Sequence, residues 1–247
     1  MRIWLKIILW FGWVGCLPWA CSTDLMEEEA TFPERYELYF SYSPNADYYM
    51  RRHLIDYFAS IALGAEYGVN LPLLKKWVKP MQIYVSGRKV PALMEELDEI
   101  VAELNALFTD GFYMELVEDS LAANFHIYLG DRLTYSKLYP NSAPLLKNST
   151  GLFTYYLNPD FSIESGHMFV LTDNSPLRYQ KHVLREELTQ SLGLSNDIET
   201  YGNSIFYQQR SDVQQYSNLD IEVIRLLYHP RLIPKLGPTA VTSILEN

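Results

Sequence analysis

The residues best spaced for chemistry lie in Glu186-Glu187-Leu188-Thr189-Gln190-Ser191-Leu192-Gly193-Leu194-Ser195-Asn196-Asp197. His182 precedes Glu186 by four positions and Gln190 follows it by four, so on a helix these three side chains share one face. With Asn196 or Asp197 beyond the turn they make an oxygen-rich set with a single nitrogen. Such a set suits a hard cation better than zinc. The same residues would also serve as plain helix formers on a wet surface, with Gly193 as the helix stop. His126 and His167 lie on strand-like segments and could swing toward this helix, although a lone histidine on a strand is ordinarily packed or solvated. No Ser-His-Asp spacing, phosphate loop or nucleotide fingerprint is present.

The elements that must hold these residues are legible in the hydrophobic pattern. Leu54, Phe58, Ile61 and Ala65 mark one face of a helix within residues 45–67. A short strand covers 81–85. Pro91 opens a helix whose stripe runs through Leu93, Leu97, Ile100, Val101, Leu104 and Phe108. Glu95, Glu96, Glu99 and Glu103 lie opposite and read as a solvated face. Strands are predicted over 113–117, 124–129, 152–157 and 167–171. In the second of these, Phe125, Ile127 and Leu129 alternate with His126 and Tyr128, as on a sheet with two different faces. Residues 131–149 read as loop. A further helix spans about 176–192. The last begins at Ser217, with Asp220 three positions on as a capping box, and ends before Pro230. This order predicts an α+β fold with helices packed on a mixed sheet.

The helix segment resembles the metzincin signature H-E-x-x-H-x-x-G-x-x-H. Glu186 falls on the first histidine, Glu187 on the general base, Gln190 on the second histidine, Gly193 on the glycine and Asn196 on the third histidine. Ser204-Ile205-Phe206-Tyr207 resembles the S-[IV]-M-Y Met-turn with Phe206 in place of Met. Residues 217–228 resemble the matrixin closing helix S-x-x-D-I-x-x-I-x-x-L-Y. The resemblance implies a zincin-like sheet with packed helices and a degenerate active-site helix. About residues 46–237 also resemble the bacterial domain of unknown function 2927, a family without an established activity whose members often carry lipoprotein-like leaders. The residues carrying that likeness are Lys76-Trp77-Val78-Lys79-Pro80-Met81-Gln82-Ile83, Glu187-x-x-Gln190-Ser191-Leu192-Gly193-Leu194-x-Asn196-Asp197, Ser204-Ile205-Phe206 and Tyr228-x-Pro230-Arg231-Leu232.

Metalloprotease chemistry would need two imidazoles one helical turn apart to clamp Zn²⁺, which lowers the pKa of its bound water from about 15.7 to about 7. A carboxamide at Gln190 is a poor zinc ligand, and one carboxylate at Glu186 does not replace two nitrogens. Ionising that water without a metal would require about 8–9 pK units, on the order of 12 kcal/mol, from Glu187 alone. No metal or other cofactor is therefore expected; a non-zinc ion, if held, would fall to His182, Glu186 and Gln190. If the fold is zincin-like, Glu186 or Glu187 should be partly buried in a cleft floor and hydrogen-bonded by Arg185, Arg210 or Tyr207. Glu186, Gln190, Asn196, Asp197 and Tyr207 then line the cleft.

Composition sets the remaining bounds. The chain has 247 residues, 48% hydrophobic and 14% aromatic, enough for one domain with a sizeable core. Its net charge is −10 with no basic stripe, which argues against a nucleic-acid partner. Residues 1–20 place Arg2 and Lys6 before an apolar run, as in a secretory signal too short for a stable span. Leu17-Pro18-Trp19-Ala20-Cys21 resembles a lipobox, which implies acylation of Cys21 and a membrane anchor. Ser22 after that cysteine favours the outer over the inner membrane. Removing residues 1–20 takes away two positive and no negative charges, so the mature charge is −12. It leaves one cysteine at most, which excludes disulfides, cysteine nucleophiles and thiolate metal sites. Residues 21–44 read as an acidic tether and 45–247 as the folded domain. The expected protein is an exported envelope lipoprotein that binds a polypeptide or envelope partner without cleaving it. The competing expectation is an atypical hydrolase with Glu187 as base.

Overall fold

The computed structural model describes residues 48–64 and 71–246. The predicted leader, Cys21 and the acidic tether lie outside the described residues, as do both ends of the first predicted helix.

Six strands form one sheet: β1 (Lys76–Trp77), β2 (Met81–Gly87), β3 (Met114–Leu116), β4 (Phe125–Gly130), β5 (Gly151–Leu157) and β6 (Ser162–Leu171). Strands β3, β2, β4 and β6 run parallel in that order, and β1 pairs in parallel with the start of β6. Only β5 is antiparallel; among the described residues it pairs with β6 alone and so forms an edge. The architecture is α+β, with a mostly parallel sheet and helices packed on it.

The two-faced reading of β4 describes the whole sheet. On one face Phe125, Ile127 and Leu129 of β4 and Met168 and Val170 of β6 join the main core, with α2 (Pro91–Asn105) and α4 (Leu177–Gln190). On the other face Tyr128, Leu152 and Phe169 close a smaller core with Tyr135 and Leu146. Period-2 alternation assigns neighbouring residues to opposite layers. The predicted stripe of α2 is buried from Leu93 to Leu104, with Pro91 in the first turn.

Segment 131–149, predicted as loop, instead contains α3 (Arg132–Leu138) and a 3-10 turn over Pro140–Leu145. The helix is too short for an apolar stripe. It is set by its cap, where Asp131 Oδ1 accepts the Thr134 N–H at 2.9 Å, and by burial of Tyr135 over Phe169. Strand β1 and α6 (Pro238–Glu246) were also not predicted. The first has two residues; the second buries only Val241 and Leu245 as it packs near α1 (Tyr48–Ala62). The capping box of α5 (Asn218–Leu227) is formed as predicted, with Ser217 and Asp220 exchanging hydrogen bonds.

One correction concerns the acidic face of α2. Glu96 is buried rather than solvated: its carboxylate receives Arg185 Nη2 at 2.9 Å and Lys181 Nζ at 3.1 Å, both from α4. Two basic residues one turn apart on the facing helix turn a nominally wet position into a neutralised buried one.

Candidate functional site

Helix α4 is fastened on three sides. Val183, Leu184 and Leu188 enter the main core, and Arg185, 1% exposed, bonds Glu96 and Glu103 of α2 while lying over the Tyr216 ring. Thr189 Oγ1 donates to the Arg185 carbonyl at 2.7 Å and meets the Tyr216 hydroxyl at 2.7 Å. The helix stops at Gly193, where φ is +117° and the N–H groups of Gly193 and Leu194 both reach the Gln190 carbonyl. A Cβ at this glycine would run into the Lys75 carbonyl oxygen, so the turn needs glycine twice over. Beneath it the Trp77 indole N–H donates to Ser191 O at 3.0 Å and the Tyr228 hydroxyl to Leu192 O at 3.3 Å.

Beyond the turn the chain is held by side chains the sequence had singled out. Gln190, 2% exposed, donates its amide to Asp197 Oδ1. Asn196 is carried away from them and donates to the Ser60 carbonyl of α1 at 3.0 Å. Ile198 bridges to Tyr207, its N–H reaching the Phe206 carbonyl at 2.9 Å. Segment 194–198 is thereby clasped to the Ser204–Tyr207 turn, with Ile205 and Phe206 fully buried and Tyr207 half-buried.

Asp220 organises that turn. Buried and hydrogen-bonded, it takes the Ser204 hydroxyl at 2.6 Å, the Ile205 N–H at 3.1 Å and the Ser217 N–H at 2.8 Å. Burial pushes its carboxyl pKa up, and these bonds oppose the shift. Tyr57 of α1 donates to Ser204 Oγ at 3.2 Å. Two sequence fragments that are weak separately, S-I-F-Y and S-x-x-D, therefore meet through two hydrogen bonds to one buried carboxylate. Nothing in the local sequence of either reveals that contact.

The acidic pair of α4 divides its roles. Glu186 is part-buried with Oε2 3.5 Å from His182 Nε2. The other nitrogen of His182, Nδ1, lies 2.9 Å from the Val213 carbonyl; because a carbonyl only accepts, Nδ1 carries the proton. Burial holds the His182 pKa below its ordinary value, opposed by the Val213 bond and Asp212. Glu187, half-buried, stands against Gly151 at the start of the edge strand, where a Cβ would collide with Glu187 Oε1 and Val183 Cγ1. Further along β5 the Tyr155 hydroxyl meets Ser195 Oγ at 2.6 Å, tying the edge strand to the loop after α4. Gly151, Tyr155 and Ser195 were not predicted. Gly151 opening a strand was the one available signal.

Three expectations about this region are corrected. Arg185 does not bond Glu186 or Glu187; it is spent on α2. Arg210 lies over the Tyr179 ring at 4.5 Å. His126 and His167 are register partners on β4 and β6, but on the sheet face away from α4. His167 pairs with Thr154, three residues from Gly151 and hence of opposite parity. His167 is held between the Tyr135 hydroxyl at 2.6 Å and the Tyr156 hydroxyl at 3.3 Å, with Tyr139 stacked on its ring. Burial, helped by His126, lowers its pKa to about 4.

The donor set does not fit zinc. Of the aligned positions, Glu186 faces an imidazole, Gln190 gives its amide to Asp197 and Asn196 turns to α1. No three His, Cys, Asp or Glu side chains among the described residues are grouped to hold a metal ion. The class defined here is an α+β protein with a helix of polar, internally bonded side chains beside an edge strand. The family described as protein of unknown function, DUF2927, matches residues 51–247, and the chain belongs to that family. The match runs on past Gly237 and takes in α6. No curated protein matches the chain.

Proposed function

We propose that this is an exported, lipid-anchored envelope protein with a zincin-like fold, whose former catalytic helix binds a polypeptide partner without hydrolysing it. What carries the reading is the state of α4. Of the positions that align with zinc-binding histidines, Gln190 and Asn196 hold amides already committed to Asp197 and Ser60, and Glu186 holds a carboxylate in place of an imidazole. Support for the ancestry comes from the order of parts. A helix ends at a positive-φ glycine, a loop returns over the Ser204–Tyr207 turn, and that turn is pinned by the Asp220 carboxylate of a closing helix. Support for polypeptide binding comes from the adjacent edge strand: a strand that has no outer neighbour among the described residues offers backbone donors and acceptors to an extended chain.

The hydrolase reading, with Glu187 as general base, draws on one observation. Glu187 lies at that same edge, where Gly151 leaves it room. The two readings separate in a peptide-library incubation of the full-length protein and its Glu187→Gln variant, followed by mass spectrometry and by affinity capture. The binding reading predicts no cleavage by either protein and equal capture by both. Cleavage by the native protein that disappears in Glu187→Gln overturns it.

A further inference from the structure

A separate pocket of about 280 Å³ opens where β1, the turn between α2 and β3, and the segment after α5 meet. Lys76 forms part of its wall and is 2% exposed. Its ammonium donates to Asp110 Oδ2 at 2.6 Å and to the Leu232 carbonyl at 3.1 Å, and it lies 4.8 Å from the centre of the Tyr228 ring. Burial pushes the Lys76 pKa down while Asp110 holds it up. Asp110 also lines the pocket, its side chain 17% exposed. It accepts the Phe112 N–H on Oδ1 at 3.1 Å and Lys76 on Oδ2. A carboxylate offers about four acceptor sites, and these bonds occupy two, so the pocket wall retains acceptor capacity. Val78 and Ile233, 54% and 59% exposed, supply apolar surface on the same walls.

The geometry points to a second binding pocket, built on the Lys76–Asp110 pair, that takes an uncharged peptide unit bearing an aliphatic side chain from a partner polypeptide. The ion pair decides against charge of either sign. An anionic ligand would face Asp110 and compete for an ammonium already bonded. A cationic one would approach a carboxylate whose buried lysine partner repels it. An amide N–H satisfies the remaining acceptor sites without disturbing the pair, and an aliphatic side chain covers Val78 and Ile233. The volume lies just under the range of small-molecule pockets and suits about one residue with its flanking amide. None of these residues belongs to the polar face of α4, so the inference is independent of the function proposed above.

The test uses full-length protein in detergent micelles, with ¹³C-methyl isoleucine and valine, titrated with N-acetyl-leucine methylamide. Two charged comparators are titrated alongside: N-acetyl-leucine, which is anionic, and leucine methylamide, which is cationic. Saturable shifts are expected at the Ile233 and Val78 methyls with the neutral probe, and at least about tenfold weaker binding of either charged one. Ile233→Asp, at an exposed position, should abolish these shifts while leaving the remaining methyl spectrum in place. Absence of a saturable shift at Ile233 and Val78 would overturn the proposal. So would equal binding of a charged comparator, or binding that survives Ile233→Asp.

Discussion

A guanidinium 1% exposed in the middle of a helix must be neutralised on the spot, and Arg185 is neutralised by α2. Its bonds to Glu96 and Glu103, with Lys181 on the other Glu96 oxygen, make a network across the two helices flanking the sheet. Arg185→Met removes one partner and leaves Glu96 buried with Lys181 alone. A loss on the order of 3–5 kcal/mol is expected in urea unfolding. Adding Glu96→Leu should restore much of it, because two apolar groups replace a broken pair. A single-variant loss below about 1 kcal/mol would show that solvent reaches Glu96. The same logic holds at Gln190, whose buried amide donates to Asp197 among the described residues.

At the scale of elements, what was legible follows from periodicity and caps. The α2 stripe, the alternating faces of β4, the stop at Gly193 and the Ser217–Asp220 box each arise within one segment, so local sequence suffices. Other features depend on partners far along the chain. Glu96 looks like part of a wet charge run until α4 brings Arg185 and Lys181 to it from about 90 residues away. The motif helix was readable as a helix, and its glycine as a turn. The side chains that now satisfy the motif were not readable, because Asp197, Ser60 and Val213 meet it only after folding. Segment 131–149 reads as loop because a seven-residue helix carries no stripe, although Asp131 before Thr134 marks a cap.

For the whole molecule, the proposal is an acidic domain held at a membrane by a lipid on its N-terminal segment. No helix among the described residues is long and apolar enough to cross a membrane. In the proposed reading the anchor is an acylated Cys21, whose acyl chains would stabilise membrane residence by about 0.8 kcal/mol per buried CH₂. Cys21→Ala should move the protein from the membrane to the soluble fraction, and retention in the membrane would remove the lipid from the account. The central claim is that α4 keeps the place of a catalytic helix without its metal. Its most direct test is the metal content of full-length protein purified without chelator, measured by inductively coupled plasma mass spectrometry. The account predicts zinc far below one ion per chain. One tightly held zinc per chain would contradict it.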